Sequence, residues 1–198
     1  MSEIFVAGKP GLVANPRVYD LHEAIRAAKY AKSIDTDLVN DDLTNGIRAL
    51  AKTPIGEGHD NWLCGIRVAF DLNCTIKMWT EAERYHFFDI VTSQSTMHKI
   101  TKFDLDVSYI RYTDERMIGI MKELVEQYNA DPTPENYLKV LYSNPTGMKL
   151  TARITTNYRQ LKTIYKQRRD HRLPEWRAFC EWIRSLPHSD LITGEKEE

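Results

Sequence analysis

Apolar residues recur along this chain with two different periods, and the places where the period changes divide it into elements. Leu21, Ile25, Ala28 and Ala31 follow a helical spacing behind Asp20-Leu21-His22-Glu23, which has the form of a capping box. A first helix is predicted over 21–32. Val39, Leu43, Ile47 and Leu50 repeat the pattern until Pro54, Gly56 and Gly58 end it, so a second helix precedes a glycine-rich turn. From Ile66 to Leu72 the apolar positions Ile66, Val68, Phe70 and Leu72 alternate with Arg67, Ala69 and Asp71, the period of a half-buried strand.

After that strand the spacing of Ile76, Trp79, Ala82 and Glu83 is helical, and the helix is expected to carry Arg84-Tyr85-His86 at its C-terminal end. Thr92-Ser93-Gln94-Ser95-Thr96 is polar and small, which suits a loop. Met117, Met121, Leu124 and Tyr128 mark a helix capped by Thr113 or Asp114. Asp131-Pro132-Thr133-Pro134 opens a short helix through Tyr137 and Leu141. Leu150, Ala152, Ile154 and Thr156 alternate as a second strand. Tyr158, Leu161, Ile164 and Tyr165 then form the apolar stripe of a helix whose other face is basic. A last helix is expected from Pro174, burying Trp176, Phe179, Cys180 and Ile183, and the tail from Gly194 to Glu198 is expected to fray.

With 198 residues and 42% hydrophobic content, the chain fits one large domain spanning 1–198 with its own core. No apolar run approaches the roughly 20 residues of a membrane helix, and no basic-then-apolar leader opens the sequence. A cytoplasmic protein is expected. Cys64, Cys74 and Cys180 have no C-x-x-C pairing and sit in apolar stretches, so reduced, buried thiols are expected.

Charge changes the picture in one place. The net charge is −1, yet Lys149, Arg153, Arg159, Lys162, Lys166, Arg168, Arg169, Arg172 and Arg177 face only Asp170 and Glu175 over the same stretch. Such asymmetry suits an anionic ligand as well as it suits a solvated helix face. Guanidinium groups grip phosphate with paired hydrogen bonds and stack on flat rings, so Arg159, Arg168, Arg169 and Arg172 among tyrosines suit a nucleotide. A nucleic-acid groove would use the same residues, but the acidic remainder of the chain favours a pocket. His86, His98 and His171 form no compact metal motif, and Ser93 and Ser95 have no glycine elbow. Arg84-Tyr85-His86 and Arg169-Asp170-His171 each end a helix that follows a strand-end asparagine, Asn73 or Asn157. Helix dipoles alone also place arginine and histidine there.

This order of elements, with the Gly58-His59 turn, Arg84-Tyr85-His86, a serine loop, Asn157-Tyr158-Arg159, Arg168 and His171, resembles the flavin-dependent thymidylate synthases. The resemblance runs in outline from the first helix to Ile183. It implies an α/β (α+β) fold, a small, mostly antiparallel sheet flanked by helices. In that family a Gly-His turn helps hold the flavin, and an Arg-His-Arg motif followed by Ser-x-Arg-Tyr frames flavin and deoxyuridylate. Here His59 and Arg84 match, Tyr85 and His86 replace the second and third members, and Ser95 is followed by Met97 where the family has arginine. The resemblance therefore implies cofactor contacts at His59, Arg84, His86, Asn157, Arg159 and His171, and substrate contacts at Ser95 and Arg168. It further implies a homotetramer holding FAD between subunits, with transfer of a one-carbon unit from methylenetetrahydrofolate to dUMP using NADPH. Replacement of the family's signature arginine keeps a second reading open, a protein of this fold that binds or sequesters a nucleotide without turnover.

Overall fold

The computed structural model describes residues 2–195. Strand β1 (Glu3–Phe5) and strand β2 (Val13–Tyr19) lead into helix α1 (Leu21–Ala27) and helix α2 (Asn45–Lys52). The centre of the sheet is β3 (Arg67–Thr75), followed by α3 (Ile76–Ala82), edge strand β4 (Asp89–Ser93) and the short α4 (Thr96–Lys99). A helical pair, α5 (Glu115–Ala130) and α6 (Pro134–Ser143), precedes β5 (Lys149–Asn157), α7 (Tyr158–Arg168), α8 (Pro174–Ile183) and α9 (Asp190–Thr193). The strands form one sheet in the order β1-β2-β3-β5-β4, and every neighbouring pair is antiparallel. None of the described helices is long and apolar enough to cross a membrane.

The alternation along β3 and β5 decides which face is covered. Val68, Phe70, Leu72 and Cys74 of β3 and Ala152 and Ile154 of β5 point into a core filled by α1, α3, α7, α8 and α9. Phe70 sits at its centre, in ring contact with Phe88, Phe179 and Trp182. The alternate positions Arg67, Asp71, Asn73, Thr151, Arg153, Thr155 and Asn157 keep contact with solvent. A second apolar cluster, Ile100, Leu105, Tyr109, Met121, Val140 and Met148, packs α5 and α6 together.

Several expectations are corrected. The capping box at Asp20 does not form: Asp20 adopts φ 60° without a side-chain cap, Asp20 binds Arg67 at 2.6 Å, and Glu23 accepts from Ser2 at 2.7 Å. Asparagine and aspartate tolerate that left-handed conformation better than other residues. Helix α1 stops at Ala27. Helix α2 begins only at Asn45, where Thr44 accepts from the Ile47 amide, because Asn40 instead closes a local turn onto the Asp42 amide. Asn73 lies inside β3, paired with Thr151, rather than after it.

Thr92 and Ser93 are strand, not loop: β4 pairs with β5 and buries neither face, so no alternation marks it. Strand β2 was hidden by Pro16 and by the bulge at Asn15, where φ is 49°. Cys74 and Cys180 are buried as expected, but Cys64 is exposed. Glu195 accepts hydrogen bonds from Tyr165 and Arg184, and the rest of the tail, 196–198, lies outside the described residues.

Candidate functional site

The Arg84-Tyr85-His86 segment does not complete α3. The helix closes at Ala82, and the Tyr85 amide folds back onto the Ala82 carbonyl at 3.0 Å. Tyr85 turns inward and leaves Arg84 and His86 exposed on the turn that enters β4. This turn is pinned to the sheet by the Thr156 hydroxyl, which donates to the Phe87 carbonyl at 2.6 Å. Next to it, on the solvent face of β3 and β5, lies a cleft of about 320 Å³ lined by Tyr19, Cys64, Arg67, Phe87, Asp89 and Asn157, among others. Asn157 is held rigid there as the N-cap of α7, accepting from the Gln160 amide at 2.8 Å. The His86 ring meets Phe87 edge-on at 5.0 Å.

Arg159 starts one residue into α7 and reaches Asp60, a fully buried carboxylate, at 3.0 Å. Lys162, one turn further, takes the other Asp60 oxygen at 2.8 Å. Its ammonium also donates to the carbonyls of Ala51 and Thr53 at 2.7 and 2.6 Å, so all three of its protons are used. Arg159 also interacts with Cys64, which lines the cleft.

Arg168 is held in the interior. Its Nε donates to the Tyr85 hydroxyl at 2.7 Å and its Nη1 to Glu81 at 2.9 Å, while the Tyr85 and Trp176 rings flank it at 5.5 and 5.0 Å. Trp176 donates its indole N–H to the same Glu81 oxygen at 3.1 Å. Burial opposes the charge of Glu81, but Trp176, His171 and Arg168 outweigh it and hold the carboxyl below its ordinary range. His171 Nδ1 faces the Leu173 amide at 3.2 Å, and Nε2 lies 2.8 Å from Arg168 Nη1 and 3.4 Å from Glu81, so both ring nitrogens meet N–H donors. Burial, together with the Arg168 charge, lowers the His171 pKa despite the Glu81 carboxylate.

Of the residues singled out in the sequence, the structure brings Asn157 to the open-face cleft, with Arg84 and His86 on its bordering turn and Arg159 against Cys64 of its lining. Arg168 and His171 instead meet each other in the interior cluster. His59 is exposed on a separate, larger cleft of about 760 Å³ between α1 and α2, beside Trp62. Ser95 lies before α4, its hydroxyl 2.9 Å from His98 Nδ1, and Met97 is exposed next to it. Sequence reasoning missed Tyr19, Arg67, Phe87 and Asp89 in the cleft, and Glu81 and Asp60 as partners of the arginines. Arg67 was legible as an outward position of β3, whereas Asp60 and Arg159 are 99 residues apart and carry no local signal.

No protein-family model matches this sequence, and no curated protein matches it. Solved structures do. Thymidylate synthase X (ThyX) from Helicobacter pylori, crystallised with FAD and dUMP, superposes with a TM-score of 0.68 at 12% identity, covering 92% of this chain and 96% of that one. A second structure of the Helicobacter pylori enzyme with FAD and dUMP gives 0.66 at 13% identity over 98% and 97%. The UMP/dUMP methylase PolB from Streptomyces cacaoi, bound with 5-Br dUMP, gives 0.64 at 13% identity over 98% and 95%. Agreement over nearly the whole length of both chains establishes that this protein has the fold of the flavin-dependent thymidylate synthases.

Proposed function

We propose that the protein binds a pyrimidine deoxynucleotide and FAD at the open face of its sheet and carries out flavin-dependent one-carbon transfer of the thymidylate synthase type. The observation that carries this is the cleft beside Asn157, bordered by the Arg84–His86 turn, on a fold whose solved examples hold FAD and dUMP. Tyr19 and Phe87 offer flat surfaces to a ring, Arg84 offers a cation to phosphate or a carbonyl oxygen, and Asn157 offers an amide to a pyrimidine edge. Bound flavin would supply the redox chemistry while these side chains bind and orient.

A volume of about 320 Å³ stands at the small end of ligand sites, which run from about 300 to 1,000 Å³. It takes one ring system and its phosphate rather than a dinucleotide. FAD then needs further surface, which a second copy of the chain would supply. Phe87, Ile90, Val91 and Met97 are exposed on and around edge strand β4, where such a copy would also cover them. The methylene donor and the reductant follow as methylenetetrahydrofolate and NADPH.

A second reading is favoured by one observation. Arg168, the residue at the place of the family's nucleotide arginine, is neutralised by Glu81 within the chain. On that reading the protein binds nucleotide without turning it over, and Arg168 and His171 act by fixing Tyr85 and the turn it anchors.

The test is purification with added FAD, followed by absorbance and a titration with dUMP. Flavin absorbance, tighter melting in dUMP, and methylation of dUMP in the presence of methylenetetrahydrofolate and NADPH are expected. Loss of dUMP affinity in Arg84→Ala and Asn157→Ala places the ligand. Binding of dUMP with no methylation would select the second reading, and absence of both FAD and dUMP binding overturns both.

A further inference from the structure

The nine cations between Lys149 and Arg177 do not act as one surface. Arg153 is paired with Asp71 at 3.1 Å, Arg159 and Lys162 share Asp60, and Arg168 is spent on Glu81. Arg177 donates to the carbonyls of His171 and Arg172 at 2.6 and 3.0 Å. Of the four that remain, Lys149, Lys166, Arg169 and Arg172, two lie one turn apart at the C-terminal end of α7, Lys166 in its last turn and Arg169 at its C-cap.

Those two meet a third cation from another element. A cleft of about 430 Å³ between α7, the end of α2 and α9 is lined by Lys52, Lys166 and Arg169 together with Pro54, Ile55 and Tyr165. No carboxylate is among its described lining residues. Arg169 pairs with Asp170 at 3.3 Å, both of them exposed, where such a pair contributes little, and Glu181 and Glu195, which share an adjoining cleft with Arg169, are paired with Lys9 and Arg184. The carbonyls at the C-terminus of α2 would repel an anion, but Lys162 covers those of Ala51 and Thr53. Its charge is already balanced by Asp60, so Lys162 screens the carbonyls without being available itself.

We propose that this cleft is a second anion site, one that takes a small molecule bearing a diphosphate, with Lys52, Lys166 and Arg169 on the phosphates and the apolar body against Pro54 and Ile55. Three converging cations match a diphosphate better than a single carboxylate. The cleft's volume of about 430 Å³ and the net charge of −1 argue for a compact ligand rather than a nucleic-acid strand. The site is separate from the open-face cleft and stands whether or not flavin or dUMP binds there.

Inorganic pyrophosphate is the probe, titrated calorimetrically into the full chain at low ionic strength. Saturable binding near one equivalent is expected, weakened roughly tenfold or more in a Lys52→Gln, Lys166→Gln, Arg169→Gln variant. A Lys32→Gln, Lys99→Gln, Lys102→Gln variant removes the same charge elsewhere and should bind like wild type. Equal weakening in both variants would show a general charge effect and overturn the proposal. So would absent binding, or tight binding of a single-stranded oligonucleotide that pyrophosphate fails to displace. Affinity for dUMP, measured on the same variants, should not change.

Discussion

His171 has two ring nitrogens that both face N–H donors, and this disfavours the doubly protonated ring. Nδ1 accepts from the Leu173 amide, so a proton there would point one N–H at another. With the Arg168 guanidinium also 2.8 Å from Nε2, the charged ring is disfavoured and its pKa is lowered in the folded state. As pH falls below about 6.5, the unfolded chain takes up this proton first, so stability is full above that pH and declines below it. Urea unfolding at pH 7.5 and 5.5 should show a smaller acid loss in His171→Asn than in wild type; an identical loss would remove His171 from the account. Glu81 and Asp71, both lowered by their partners, lose their contribution only below about pH 4.5 and do not enter that window. Asp60 is the other decisive residue. It is wholly buried and balances two cations, so Asp60→Ala leaves them facing each other without a counter-charge. A loss of about 3–5 kcal/mol in denaturant unfolding is expected, with part recovered in Asp60→Ala combined with Lys162→Met.

Among the elements, the ends matter more than the middles. Asn157 closes β5 and opens α7 in one residue, and its side chain satisfies the Gln160 amide that the helix leaves unpaired. Asn157→Ala should lower stability by about 1 kcal/mol, and Asn157→Ser should restore most of it. Ligand affinity separates the two roles of this residue: serine keeps the cap but shortens the reach into the cleft, so stability should recover while dUMP binding does not. The helices capped by Asp114 and Thr133 were legible for the same reason, since both caps act within three residues. The edge strands were not. β4 has every position exposed and β2 is broken by a proline and a bulge, so neither shows the alternation that burial on one side creates.

At the scale of the molecule, sequence determined what depends on near neighbours and on burial period. It specified the strands β3 and β5, the helices that follow them and a cationic stretch toward the C-terminal helix, whereas the antiparallel sheet was implied by the resemblance to the flavin-dependent thymidylate synthases. Tertiary structure decided the fate of those cations. Arg168 lies three residues from His171 in sequence, yet its charge is met by Glu81, 87 residues away. Lys166 and Arg169 gain significance only because α2 brings Lys52 beside them. Periodicity reports which side of an element is apolar, because burial acts on every turn alike. Which charge meets which depends on how elements pack across the fold, and local spacing contains no record of it.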